Sequence, residues 1–367
     1  MSNDLNLKVN TKPDSLDLRS LSLSELENWV VGLDEPRWRA NQIMRWMYSV
    51  KKADSFASMT NLPESLRKTL TRQACMERLK MQNLYTAKDK TVKALLLLPS
   101  GRSVETVLIP HMDDSGKIQR LTVCVSSQVG CAMGCTFCAT GKMGFLENLT
   151  CGQIVDQVDF MREIAQERFA RDISNVVFMG MGEPLLNYNA LIASLQILTH
   201  SDLVGLSPRR ITVSTVGLAR RIRDLANDMP RIGLAVSLHA PFESKRSSIM
   251  PVNRSAITDL TALEPAMRYH TDTTNRKLTF EYCLFRGFND SSEDAHALAQ
   301  LCHRVRAKVN LIMYNDVPGV DFERTSEARL NEFMSQLSTH GVTVTVRRSR
   351  GTDITAACGQ LANRVDQ

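Results

Sequence analysis

No apolar run in this 367-residue chain approaches the roughly 20 residues that span a bilayer, which excludes a helical membrane protein. The run Ala94–Pro99 (ALLLLP) is far shorter and reads as a buried strand. A hydrophobic signal peptide is missing from the N-terminus, and the nine cysteines are an odd number. Disulfide stapling of a secreted domain is therefore disfavoured. Repeats and low-complexity tracts are absent as well. Charge is not extreme: a net +6 and a pI near 8.8 permit a nucleic-acid partner without requiring one. What remains is an ordinary globular composition, 43% hydrophobic and 23% charged, long enough for a large domain plus an appendage.

The cysteines that are present are not scattered. Cys131, Cys135 and Cys138 are spaced C-x3-C-x2-C within CVSSQVGCAMGCTFCATGKMGF, with Phe137 just before the last. Gly130, Gly134 and Gly141 make this stretch a loop, so the three thiols point to metal binding more than to packing. A cubane iron–sulfur cluster takes four thiolates, and three leave one iron open to an exchangeable ligand. A zinc knuckle with Cys124 or a distant histidine as fourth ligand satisfies the same spacing.

Along the chain, residues 1–14 are polar and aperiodic. Ser22 and Glu25 form a capping-box pattern ahead of Leu26, Trp29 and Val30. A second amphipathic helix carries Ile43, Met44, Trp46 and Met47, and Pro63 starts a third. Arg37, Arg39 and Arg45 make this region basic: a solvated surface in general, a docking patch if the partner is RNA. Val92–Leu98 and Val104–Ile109, split by Pro99-Ser100-Gly101-Arg102, read as a hairpin with Glu105 in its second strand. Leu121–Val125 then leads into the cysteine loop, and strands and helices alternate to the end. That alternation predicts a parallel sheet in a complete or partial barrel, with the chemistry at the C-terminal strand ends. Gly182 and Glu183, Ser214, Ser237-Leu238-His239 and Asn315 all fall at such ends. Cys358 follows the basic run Arg347–Arg350, either as a small buried residue or as a thiol whose thiolate nearby cations favour. Cys75, Cys151, Cys283 and Cys302 sit in helical or strand patterns and are assigned to packing.

The cysteine loop with FMGMGEPLLN, SPRRITVSTVG, AVSLHAP, VNLIMYN and GTDITAACGQLA resembles the RlmN/Cfr family of radical S-adenosylmethionine RNA adenine methyltransferases, and its RlmN branch most. The resemblance covers nearly the whole chain, including RWRANQIMRWMY. It implies a partial (β/α)6 barrel at 121–367, a helical accessory RNA-binding domain at 1–75 and a β-hairpin extension at 76–120. It implies that Cys131, Cys135 and Cys138 hold a [4Fe-4S] cluster, and that Gly182, Glu183, Ser214, Ser237, Leu238, His239 and Asn315 line S-adenosylmethionine, two molecules of which are used per turnover. Cys358 becomes the methyl carrier, Cys124 the thiol that resolves the adduct by forming a disulfide with it, and Glu105 the proton acceptor. The implied substrates are 23S rRNA and the adenine at position 37 of tRNAs, methylated at carbon 2 by a cytoplasmic monomer fed by a reductant such as flavodoxin. Met313 and Asp316 stand where the family commonly has prolines. Two other readings compete: a Cfr-like carbon-8 methyltransferase, and a non-catalytic metal-containing RNA-binding protein.

Overall fold

The computed structural model describes residues 15–49, 52–254 and 258–362; the polar stretch 1–14 lies outside them. Helices α1 (Leu23–Val31), α2 (Arg39–Tyr48) and α3 (Glu64–Gln73) come first. The expected capping box is in place: the Glu25 N–H donates to Ser22 Oγ and the Ser22 N–H to the Glu25 carboxylate. That satisfies two of the amides a helix start leaves without partners. Leu26, Val30, Ile43, Met47, Leu66 and Leu70 form the buried faces.

The chain then builds one ten-stranded sheet whose strands lie in chain order. The first four are β1 (Lys80–Thr86), β2 (Val92–Leu97), β3 (Ser103–Met112) and β4 (Ile118–Cys124). They pair antiparallel, as tight turns allow. From β4 onward every pairing is parallel: β5 (Asn175–Phe178), β6 (Ile211–Thr215), β7 (Gly233–Ser237), β8 (Leu278–Leu284), β9 (Ala307–Met313) and β10 (Val344–Arg347). Helices α4 (Cys151–Phe169), α5 (Tyr188–Thr199), α6 (Ala219–Asp228), α7 (Glu243–Ile249), α8 (Leu260–Thr274), α9 (Ser292–Val305) and α10 (Glu327–Thr339) return the chain between them. This is the partial barrel that the alternation predicts, with the hairpin fused to its first strand. Two elements go beyond the pattern. Strand β1 (KMQNLYT) is polar and largely exposed, and α7 (ESKRSSI) carries too little apolar sequence to announce a helix.

A single buried cluster runs from Leu26, Ile43 and Leu66 through Val123, Ile154 and Val176 to Leu311. A smaller one gathers Cys131, Cys135, Met250, Phe285 and Tyr314 at the C-terminal ends of the strands. Among the described residues no helix is long and apolar enough to cross a membrane.

Candidate active site

Because the six parallel strands after β4 share one direction, their C-terminal ends ring a single cavity. Cys131, Cys135 and Cys138 form one wall. Gly182 and Glu183 after β5, Ser214 in β6, Ser237 and His239 around the end of β7, and Asn315 after β9 form the others. Cys358 closes it from the C-terminal segment. Leu238 is the exception: its side chain is fully buried in the core, and its N–H donates to the Glu281 carbonyl. Cys124 and Glu105 do not line the cavity but lie behind the segment carrying Cys358.

Local sequence explains these placements. Gly182 has φ +95°, and a Cβ there would stand 2.5 Å from the Gln128 side chain, so only glycine lets the loop after β5 close on the cysteine loop. The Glu183 N–H then donates to Gln128 Oε1 at 2.8 Å. Glu183 itself accepts from the N–H groups of Leu185 (3.0 Å) and Val216 (2.8 Å). Burial nevertheless pushes its carboxyl up to about 7. The Cys283 N–H donates to His239 Nδ1 at 3.0 Å, which leaves the proton on Nε2. Burial drives His239 down to about 3, so the ring is a neutral donor. Phe137 packs edge-on against His239 at 4.8 Å and tilted against Phe285 at 5.3 Å, tying the cysteine loop to β7 and β8.

The C-terminal segment is docked from several sides. The Ala139 N–H donates to the Gly359 carbonyl (2.8 Å), Thr140 Oγ1 to the Leu361 carbonyl (2.6 Å), and Asn315 Nδ2 to the Cys358 carbonyl (3.3 Å). Gln360 Nε2 donates to the Asp316 carbonyl, and Met313 is the last residue of β9, in register with Leu284 of β8. Asn315 thus reaches the cavity without the family's flanking prolines. Burial, with the Cys358 thiol second, pushes the Cys124 thiol up to about 12 despite the guanidinium of Arg347.

Two residues escaped the sequence reading. Cys283, assigned to packing, lines the cavity wall at the end of β8. Arg347, one arginine of a basic run, enters the cavity at the end of β10 and is raised chiefly by Cys358. The run's proximity to Cys358 was the available signal.

Residues 16–76 match the family described as ribosomal RNA large subunit methyltransferase N-terminal domain, and 125–299 match the radical SAM superfamily. A probable dual-specificity RNA methyltransferase RlmN of Salinibacter ruber is 56% identical over 355 residues, covering 97% of this chain and 96% of the relative. The dual-specificity RNA methyltransferase RlmN of Nitratidesulfovibrio vulgaris is 45% identical over 94% of each chain. The chain belongs to the RlmN family. The crystal structure of a radical SAM methyltransferase from Sphaerobacter thermophilus superposes with a TM-score of 0.84 at 42% identity, covering 94% of this chain and 99% of that one.

As a radical SAM enzyme of the RlmN family, the chain uses a [4Fe-4S] cluster and S-adenosylmethionine, and its residues fit both. Among the described residues no three His, Cys, Asp or Glu side chains close around a single metal ion. A cubane does not ask for that, since each thiolate binds a different iron; a single-ion zinc knuckle does. Burial pushes the Cys131 thiol to about 12 and raises those of Cys135 and Cys138, so their deprotonation waits on a metal cation. All nine cysteines are free thiols in this structure.

Proposed function

We propose that this enzyme methylates carbon 2 of a specific adenine in 23S rRNA and of the adenine at position 37 of tRNAs, with Cys358 as methyl carrier. The observation that carries the reading is the seating of Cys358 in the wall of the cavity that the three cysteines line, its segment hydrogen-bonded to the cysteine loop, with Cys124 buried behind it. Cys131, Cys135 and Cys138 would hold a [4Fe-4S] cluster, which when bound would supply the electron for reductive cleavage of S-adenosylmethionine. The carboxylate of Glu183 accepts from the cofactor's ammonium group, and His239 Nε2–H, Ser214, Ser237 and Asn315 offer the remaining polar contacts. At Leu238 only the backbone is available.

The Cys358 thiolate first takes a methyl group from one S-adenosylmethionine: the Sγ–C bond forms as the sulfonium–methyl bond breaks, and S-adenosylhomocysteine leaves. That methyl would lose a hydrogen atom to the 5′-deoxyadenosyl fragment of a second, reductively cleaved S-adenosylmethionine, giving 5′-deoxyadenosine, and the carbon radical left on the Cys358 side chain bonds to the adenine ring. Carbon 2 is electron-poor and has no lone pair, so polar methyl transfer is closed to it and a covalent adduct opens a route. The radical adduct gives one electron back to the cluster that would have supplied it, and Glu105 takes the proton from carbon 2. Cys124 then attacks Cys358 Sγ: the S–C bond to the RNA breaks as the disulfide forms, and its electron pair stays on the released carbon, which takes up a proton to become the methyl group. The buried thiol of Cys124 has to lose its proton first, and Arg347 beside it favours the thiolate. Residues 1–75 serve as the RNA-binding accessory domain, 76–120 as the extension and 121–367 as the catalytic barrel. The enzyme works as a monomer with a reductant such as flavodoxin.

Anaerobic assay of the reconstituted enzyme on separate rRNA and tRNA fragments, with the modified atom mapped by mass spectrometry, tests this. The expected product is 2-methyladenine in both; 8-methyladenine, or no deoxyadenosine at all, overturns it. Cys358→Ala abolishes the methylated-protein intermediate, and Cys124→Ala traps RNA covalently on Cys358. Normal turnover in either variant sinks the scheme.

A further inference from the structure

The family pattern supplies a base, Glu105, but says nothing of what holds it. The register of the first strands does. Lys93 in β2 stands opposite Val107 in β3, Leu95 stands opposite Glu105, and Val107 stands opposite Cys124 in β4. Since side chains alternate along a strand, Lys93, Glu105 and Cys124 share one face of the sheet. That face is the one covered by the segment carrying Cys358.

Lys93 and Glu105 are each only 1% exposed and form an ion pair, Nζ to Oε1, at 3.0 Å. Lys93 Nζ also donates to Thr355 Oγ1 at 3.0 Å and lies 5.2 Å from the centre of the Tyr85 ring. Glu105 Oε2 accepts from the Ala362 N–H at 2.8 Å. Thr355 and Ala362 bracket Cys358. The cation therefore grips the chain on one side of the methyl carrier, and the anion grips it on the other.

A buried ion pair is a poor stabilising device. Desolvating both charges offsets their attraction, and an apolar pair of similar volume is often as good. One that joins the base to both flanks of the carrier segment points to a use in the reaction. We propose that Lys93 is a positioning residue for adduct release: it fixes the Glu105 carboxylate against the Cys358 segment. Oε1 faces Lys93, and Oε2 is the oxygen turned to the carrier segment, where it accepts from the Ala362 N–H. This rests on the reading of Cys358 as the carrier and Glu105 as the base.

The test is a step-resolved anaerobic assay on the reconstituted full chain with a tRNA fragment. Methylation of Cys358 is followed by intact-protein mass and the RNA–protein adduct by denaturing gel. Lys93→Met is expected to methylate Cys358 and form adduct within about twofold of the parent, while the adduct resolves at least tenfold more slowly. Lys93→Arg, which keeps the charge, restores release. Because Lys93→Met leaves a buried carboxylate alone, Lys93→Met/Glu105→Gln is made alongside it. The double variant is expected to release adduct about as slowly as Glu105→Gln alone, since the lysine's effect on the proton-transfer step passes through the glutamate. Release at the parent rate in Lys93→Met overturns the proposal. So does loss of Cys358 methylation that neither Lys93→Arg nor the double variant repairs, because that marks a purely structural lysine. Cys124→Ala is the control: if it accumulates no adduct, the carrier reading itself has failed, whatever Lys93 does.

Discussion

At the scale of single residues, Glu183 makes the sharpest demand on conditions. Its carboxyl is buried and raised to about 7, and its two oxygens already accept backbone N–H groups. As pH falls through 7 it takes up a proton and can no longer pair with an ammonium group. The alkaline limit comes from the cofactor, whose α-amino group loses its charge near pH 8, the usual range for such amines. S-adenosylmethionine affinity of the reconstituted enzyme should therefore peak between about pH 7 and 8 and fall up to tenfold per unit on the acid side. Equilibrium dialysis across pH 6 to 9 measures this, and Glu183→Gln should lose the acid limb; an unchanged acid limb in that variant rejects the pairing. For the ligand-free protein the sign is opposite. The folded-state value lies above the ordinary 4.5, so stability declines as pH rises from about 4.5 to 7.

At the scale of elements, α4 joins the accessory helices to the barrel through charge as well as apolar packing. Arg19 is buried and hydrogen-bonds Asp156 and the Met47 carbonyl, with its guanidinium 4.5 Å from the centre of the Tyr48 ring. Lys52 pairs with Asp159 one turn further along α4 at 2.8 Å. Arg19→Met leaves Asp156 buried without its closest cation and should cost about 3–5 kcal/mol, read by chemical denaturation. Adding Asp156→Asn should recover part of that loss, and a cost below about 1 kcal/mol for Arg19→Met contradicts the assignment. None of this could be read from the sequence, where Arg19 lies well over a hundred residues from its partner. What could be read was periodic: the apolar stripe of α4, the capping box at Ser22, and the strands whose ends carry the site. Strand β1 and helix α7 escaped because their polar sequences have no periodic apolar face. Lys93 escaped for the opposite reason, as one polar residue beside the apolar run of β2.

At the scale of the whole molecule, the accessory helices and the barrel share one hydrophobic core, from Ile43 and Leu66 to Val176 and Leu311. Deleting residues 1–75 would expose that core, so loss of activity in a truncated chain says nothing about RNA. A surface substitution does. Trp38, just before α2, is 52% exposed, and the Arg39 guanidinium lies 4.1 Å from the centre of its ring. An exposed indole with a stacked cation is a platform for an unpaired base or a backbone phosphate, and stacking on such a ring contributes about 1–3 kcal/mol per base. Trp38→Ala should raise the KM for tRNA and rRNA fragments roughly fivefold to a hundredfold, in line with that energy. The denaturation midpoint and methylation of Cys358 should stay unchanged, because the ring is on the surface and does not line the cavity. Equal KM values for variant and parent would remove Trp38 from the RNA path and leave the basic face of α2 as ordinary solvated surface.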